Sequence, residues 1–355
     1  MPFSPWIEID RGALRHNLEV VRGHAPHARV MAVIKANAYG HGVLPVAAAL
    51  DSADAFAVAR IEEAAQLREA GIDKRLLVLA GVHDSEELAL AAKLGVELVV
   101  HHRMELTLLK QAGLALPVAI WLKIDTGMNR LGFAPADTHE LLKHIGGLSS
   151  VATVAGVLTH LANADDPGDD FTERQLRRFS KATADIDLPL SIANSAGIMG
   201  WPSSHADWVR PGIMLYGAAP FSGPAHELRP AMTFGSRLIS VKMVQKGEPV
   251  GYGGIWQASE TGPVGVVAAG YGDGYPRAVP SGMPVLVNGQ RVPVVGRVSM
   301  DTLMVDLRSQ PEANVGDEVI LWGRGLSADV IAEAAQTIPY TLFCGITGRV
   351  ERRIR

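Results

Sequence analysis

A single cysteine, Cys344, stands in a chain of 355 residues. No internal disulfide is possible, which suits a reducing compartment, and the thiol by itself reads as a small buried hydrophobe. Charge is sparse as well: Asp, Glu, Lys and Arg make up 20% of the chain, and 33 basic against 37 acidic side chains leave a net charge of −4 without a long basic run. That balance argues against a nucleic-acid surface or an anionic membrane and leaves small-molecule chemistry. No apolar run is long enough to span a bilayer. The opening residues, from Met1 to Asp10, lack a basic stretch followed by an apolar one, so no signal peptide is expected and the cytoplasm is the expected location. No metal site is read from the sequence.

What is present is apolar residue in bulk. Hydrophobic side chains make up 48% of the chain, enough for a large core, and the length suggests two domains. Asp10 is placed to cap a helix from Arg11 to about Arg22, with Leu14, Leu18 and Val21 on one face. Short apolar runs then recur at Val30–Ala36, Ala55–Ala59, Leu76–Ala80, Val96–His101, Val118–Asp125, Val154–His160, Leu190–Ala193 and Val209–Tyr216. Between them lie charged segments of helical periodicity, such as Ile61–Ala70 and Ser85–Leu94. Eight strands each followed by a helix predict a (β/α)8 TIM-type barrel over residues 11–225. Residues 218–226, rich in proline and glycine, mark the linker. Beyond it the pattern turns to strands, so residues 226–355 are expected to form a mainly β domain, with an Asn288-Gly289 hairpin turn and a short helix over Ala328–Gln336. Ile7–Ile9 alternates like an edge strand, and residues 1–10 are expected to join that domain.

Several predicted barrel strands finish in polar residues at glycine or asparagine turns, and in a barrel these ends converge. Lys35 is the most informative. A lysine leaving a buried strand beside Tyr39 and a glycine-rich turn is a candidate Schiff-base nitrogen, once desolvation or neighbouring positive charge brings its pKa toward neutrality. That chemistry suggests pyridoxal phosphate. The turns Asn194-Ser195-Ala196-Gly197 and Arg210-Pro211-Gly212-Ile213 follow the last two strands, where barrels often hold a phosphate. Arg210 could meet the cofactor's pyridine nitrogen, with His160 beside it, and would leave that nitrogen unprotonated. Tyr252, between glycines in the β domain, could act as a base if a cation such as Arg130 stabilised its phenolate; by itself the pattern equally fits a packing residue beside a tight turn.

Taken in order, Lys35-Ala-Asn-Ala-Tyr39-Gly-His-Gly, Asp125-Thr-Gly-Met-Asn-Arg130-Leu-Gly, Thr159-His160, Asn194-Ser195, Arg210-Pro-Gly-Ile213, Tyr252-Gly, Gly270-Tyr271-Gly-Asp-Gly, Gly296-Arg-Val-Ser-Met300-Asp301 and Tyr340 closely resemble the alanine racemases, fold type III pyridoxal phosphate enzymes. The resemblance runs from about Glu8 to Arg352. It implies racemisation of alanine with pyridoxal 5′-phosphate on Lys35, which exchanges the α-proton on the D face, and with Tyr252 of a partner subunit on the L face. It further implies a head-to-tail homodimer sharing its active sites. Tyr39, Ser195, Gly212, Ile213 and Tyr340 would contact the phosphate, Arg210 the pyridine nitrogen, and His160 would support Arg210. Arg130 and the backbone N–H of Met300, with Asp301 beside them, would hold the substrate carboxylate. Tyr271 and Tyr340 would narrow the entrance. Lys123 matches a position that some relatives carry as a carbamylated lysine. Racemisation independently calls for an acid and a base on opposite faces of a planar carbon, which a lysine and a tyrosine from different domains supply. The rival readings are a broad-specificity amino-acid racemase, a decarboxylase of the same fold, which would usually carry an acidic partner where Arg210 stands, and a cofactor-carrying protein without turnover.

Overall fold

The computed structural model describes residues 3–221 and 226–355. The expected linker at 218–226 and the expected domain boundary at 225/226 therefore fall partly or wholly outside the described residues.

Strand β1 (Trp6–Ile9) is followed by a helix over Arg11–His24, whose first turn is capped by the Asp10 carboxylate accepting from the Ala13 N–H at 2.9 Å. Eight parallel strands then close into a barrel: β2 (Arg29–Val33), β3 (Ala55–Val58), β4 (Leu76–Val78), β5 (Glu97–Val100), β6 (Val118–Lys123), β7 (Val151–Leu158), β8 (Leu190–Ser191) and β9 (Trp208–Val209), with β9 pairing back onto β2. Strands covered on both faces read as continuous apolar runs, and Ala55–Val58 is buried throughout. All eight expected strands are present. All eight end earlier than the apolar pattern suggested, most of all β2, which stops at Val33, and β9, which stops at Val209 before a 3-10 turn over Ile213–Tyr216.

The floor of the barrel is sealed. Trp121 and Trp208 meet edge to face at 6.2 Å, the guanidinium groups of Arg29 and Arg75 lie over the Trp208 ring at 5.3 and 4.8 Å, and Glu97 accepts from both Arg75 and the Trp121 indole. Arg29, Glu97 and Trp208 open their strands, so this seal sits at the N-terminal ends and leaves the C-terminal mouth as the place for a site.

The remaining strands are β10 (Met232–Val244), β11 (Pro249–Val250), β12 (Trp256–Gln257), β13 (Gly262–Val267), β14 (Pro284–Val287), β15 (Gln290–Val295), β16 (Leu303–Asp306), β17 (Glu318–Trp322) and β18 (Glu351–Ile354). Eight of the chain's strands form one sheet in the order β13-β16-β15-β14-β17-β10-β1-β18, and β13 also pairs with the far half of β10 beyond a bulge at Leu238/Ser240. Asn288 and Gly289 both take positive φ, 49° and 79°, as a tight hairpin turn between β14 and β15 requires. The expected edge strand is corrected. β1 pairs antiparallel with β10 and parallel with β18, so it is interior, and Ile7 and Ile9 are wholly buried. The expected helix over Ala328–Gln336 ends at Ala334, just before Gln336 takes positive φ.

Candidate active site

Lys35 does not sit at a strand end, as the sequence suggested. It begins a left-handed turn in which Ala36, Asn37, Ala38 and Tyr39 take φ of 54°, 52°, 53° and 48°. Each non-glycine residue there costs about 1–2 kcal/mol, so four in a row persist only under restraint. The restraints are visible. Glu63 Oε1 accepts from the Ala36 N–H at 2.5 Å, Asn37 Oδ1 accepts from the Val43 N–H at 2.8 Å, and His41 Nδ1 lies 2.9 Å from the Tyr39 carbonyl and 3.1 Å from that of Ala38. Both partners of Nδ1 are carbonyls, so Nδ1 carries the proton, and burial holds the His41 pKa down at about 4. Gly40 closes the turn with φ 76°, where an added Cβ would lie 2.1 Å from the Phe343 carbonyl. The turn is thereby pressed against the helix Pro339–Cys344, which carries Tyr340.

The barrel mouth holds a cavity of about 360 Å³ lined by Lys35, Tyr39, Lys123, Arg130, His160, Ser195, Arg210, Gly212 and Tyr340 among others. Nine of the expected site residues therefore meet in one place. Arg210, 5% exposed, donates to the Ser191 hydroxyl at 2.6 Å and to the carbonyls of Thr159 and Ile192 at 2.5 and 3.2 Å, and lies 3.4 Å from His160 Nδ1. No carboxylate pairs with it among the described residues. Burial lowers its pKa to about 10, which leaves it charged at neutral pH, and burial together with that charge holds His160 well below its usual value and hence neutral. Burial and the Arg130 guanidinium both lower the Lys35 pKa. Burial first, then the cations Arg210 and Arg130, bring Lys123 down to about 8.

Lys123 is 9% exposed, so its charge is costly in the fold. Its folded pKa lies below the unfolded one, so the folded state binds fewer protons between about pH 8 and 10.5 and stability rises with pH across that window. Between about pH 7 and 9.5 this contributes about 2 kcal/mol. In Lys123→Met that gain is expected to vanish, as urea unfolding of the cofactor-free protein in carbon-dioxide-free buffer at the two pH values would show. An unchanged pH slope would contradict the assignment.

Across the cavity, Ser195 opens a short helix capped by Asn194, whose side chain accepts from the Gly197 N–H at 2.9 Å. The Ser195 hydroxyl oxygen accepts from the Gly212 N–H at 2.9 Å and from the Met214 N–H at 3.4 Å, which turns its own proton outward as a donor. A Cβ at Gly212 would lie 2.7 Å from the Tyr39 hydroxyl, so glycine keeps this cradle open. Ile213 is wholly buried and outside the cavity lining, so only its backbone could serve a ligand. Tyr340 meets Tyr39 edge to face at 5.6 Å, and burial pushes its phenol up to about 12. Arg130 is carried by a loop closed at its base, where Phe133 bonds the backbone of Lys123 and Asp125 at 2.9 Å, and the Asp125 carboxylate turns the loop by accepting from Gly127 and Asn129.

The other expected residues are elsewhere. Tyr252, in a glycine-rich 3-10 turn after β11, is 70% exposed and Met300 53% exposed, and neither lines the cavity of its own chain. Tyr271, Met300 and Asp301 form a second cluster: the Tyr271 and Gly272 N–H groups bond the carbonyls of Ser299 and Met300 at 3.0 and 2.8 Å, and Arg349 bridges Asp301 at 2.7 Å to buried Asp273 at 2.9 Å. The expectation for Cys344 is corrected: its residue is exposed, at the end of the helix that presses on the lysine turn. Residues the sequence reading did not single out include Glu63, Ser191, Arg349 and Gln175. The last, wholly buried, bonds Thr126, the His160 carbonyl and the Ala162 N–H. Glu63 had a local signal, a glutamate at the third position of a helix; the others had none.

The model of the alanine racemase N-terminal domain matches residues 9–220, and that of the C-terminal domain residues 231–354. The chain belongs to the alanine racemase family. An alanine racemase from Nitrosococcus oceani is 50% identical over 351 residues, 98% of either chain, and one from Halorhodospira halophila is 50% identical over 348 residues, 97% of this chain and 96% of that one. Among solved structures, the biosynthetic alanine racemase of Pseudomonas aeruginosa superposes with a TM-score of 0.95 at 44% identity, covering all of both chains. The Bartonella henselae alanine racemase, solved with covalently bound pyridoxal phosphate, gives 0.89 at 28% identity, again over all of both chains. The TIM-type barrel followed by a mainly β domain is thus this family's architecture.

Proposed function

We propose that the protein interconverts L-alanine and D-alanine with pyridoxal 5′-phosphate held on Lys35, as a homodimer in which each cavity is completed by the partner subunit's Tyr252. The observation that carries this reading is the cavity itself. It joins a lysine of lowered pKa, a buried arginine without a carboxylate, and the cradle of Tyr39, Ser195 and Gly212, while Tyr252 and Met300 stand outside it. The donor set fits the cofactor: hydroxyls and backbone toward its phosphate, a lysine amine toward its aldehyde.

Pyridoxal phosphate, when bound, supplies an electron sink for the α-carbon of the amino acid. Arg210, fixed by carbonyls and the Ser191 hydroxyl, would present its cation to the pyridine nitrogen and keep it from being protonated. That weakens the sink and favours returning a proton over other outcomes. Lys35 takes or gives the α-proton on the D face, and the partner subunit's Tyr252 does so on the L face. Arg130, with the backbone N–H of the partner's Met300 and the partner's Asp301 nearby, holds the substrate carboxylate, and Tyr271 and Tyr340 restrict the entrance. Lys123 is the candidate for carbamylation: its pKa of about 8 leaves a share of neutral amine to attack carbon dioxide, and the resulting anion would pair with Arg130. Among the described residues no helix is long and apolar enough to cross a membrane, and a cytoplasmic location remains part of this proposal.

The test is α-hydrogen exchange with deuterated water, together with loss of optical rotation, on L-alanine, L-serine and L-lysine. Fast uptake with loss of rotation on alanine alone is expected. Comparable rates on serine or lysine would point to a broad-specificity racemase, and no uptake on any of them with pyridoxal phosphate bound would refute the reading.

A further inference from the structure

We propose that Glu63 is the positioning residue of Lys35, acting through the backbone of the left-handed turn; the inference rests on the reading of Lys35 as the cofactor lysine. Glu63 belongs to the helix Ile61–Glu69 that follows β3, not to the lysine's own element. Its carboxylate divides between two tasks. Oε2 accepts from the N–H groups of Ala59 and Arg60 at 2.7 and 3.2 Å, tying the end of β3 to its helix, while Oε1 reaches back to the Ala36 N–H at 2.5 Å. Ala36 is the first residue of the turn with positive φ. A helical turn leaves its first N–H groups without internal partners whichever its hand, so a carboxylate delivered from outside caps it.

Glu105 shows that this is a device of the barrel. It lies in the helix Arg103–Gln111 after β5, and its Oε2 accepts from the N–H groups of His101 and His102 at 2.6 and 2.9 Å, the same tie between a strand end and its helix. Next to Glu105, Gly81 in the turn after β4 has no room for a Cβ, which would lie 1.8 Å from Oε1. At β3 the same arrangement is spent on the residue next to Lys35. Glu63 also sets the lysine's charge balance. The groups facing Lys35 are Arg130 from the loop after β6, Lys123 on β6, His160 after β7, Cys344 from the second domain, and Glu63, whose carboxylate opposes the lowering by burial and Arg130.

Two variants separate positioning from simple helix capping. Glu63→Asp keeps a carboxylate for the neighbouring Ala59 and Arg60 N–H groups but loses the reach to Ala36; Glu63→Gln keeps the length and removes the charge. In the cofactor-free protein, hydrogen–deuterium exchange of the Ala36 N–H is expected to accelerate at least about tenfold in Glu63→Asp, with a thermal midpoint near the parent's. In Glu63→Gln the pH midpoint for capture of pyridoxal phosphate is expected to fall, because the neutral amine persists to lower pH once the carboxylate is gone. Unchanged Ala36 exchange in both variants, or lower thermal midpoints with unchanged exchange and an unchanged capture midpoint, would reduce Glu63 to a helix cap and overturn the proposal. The exchange measurement involves neither cofactor nor turnover, so it reads Glu63 even if the protein does not racemise alanine.

Discussion

Lys35→Ala is expected to lower alanine racemisation by about 10⁴-fold or more, since under the proposed mechanism one substitution would remove both the covalent hold on the cofactor and the proton-transfer group of the D face. The cavity contains a second amine. Lys123 lines the same space, is partly neutral near pH 8 and is less exposed than Lys35. What separates them is mounting. Lys123 closes a regular barrel strand among the charges of Arg210 and Arg130, whereas Lys35 stands on a turn held from several sides. Borohydride reduction of the loaded parent protein, followed by peptide mass analysis, is expected to mark Lys35 and leave Lys123 unmarked. A mark on Lys123, or a residual rate within tenfold of the parent, would show that the assignment to Lys35 is wrong.

Tyr252→Phe should separate the two faces. With the L-face group gone, racemisation in both directions is expected to fall about 10²–10⁴-fold. D-alanine should nevertheless still exchange its α-hydrogen with deuterated water through Lys35, without inverting. The same variant tests whether the site is shared. Neither Lys35→Ala nor Tyr252→Phe is expected to keep more than about a hundredth of the parental rate alone, yet with a shared site one cavity of a mixed dimer would carry both defects and the other none. If subunits mix at random, half the dimers are mixed and half of their cavities are intact, so about a quarter of parental activity should return. No recovery after verified subunit exchange would mean that Tyr252 serves the cavity of its own chain or none. The exposure of Tyr252 and its place outside its own cavity favour recovery.

The barrel was legible because strands covered on both faces must be apolar throughout, and the helices between them must alternate; Ala55–Val58 and Ser85–Leu94 show both patterns cleanly. Lys35, Ser195 and Arg210 were legible for a related reason, since a polar residue that follows an apolar run in the sequence has few structural uses. Where the reading slipped, long-range pairing had decided. Nothing within Trp6–Ile9 tells that β18, more than 340 residues later, will lie beside it and make an interior strand of an apparent edge. Nothing within Lys35–Tyr39 tells that these residues turn left-handed, because their own preference is for the opposite hand.

By itself, then, the sequence determined which residue types reach the barrel mouth, the order of strands and helices, and the chemistry those types can perform. How they are held is a matter of the folded chain: a strained lysine turn capped by Glu63 from a neighbouring helix, a buried arginine bonded to carbonyls and a serine hydroxyl, and a tyrosine left on the surface outside its own cavity. The division has a physical cause. Periodicity and turn chemistry act over a few residues and are written locally, whereas strain, burial and the charge state of a buried amine depend on neighbours that folding alone brings together.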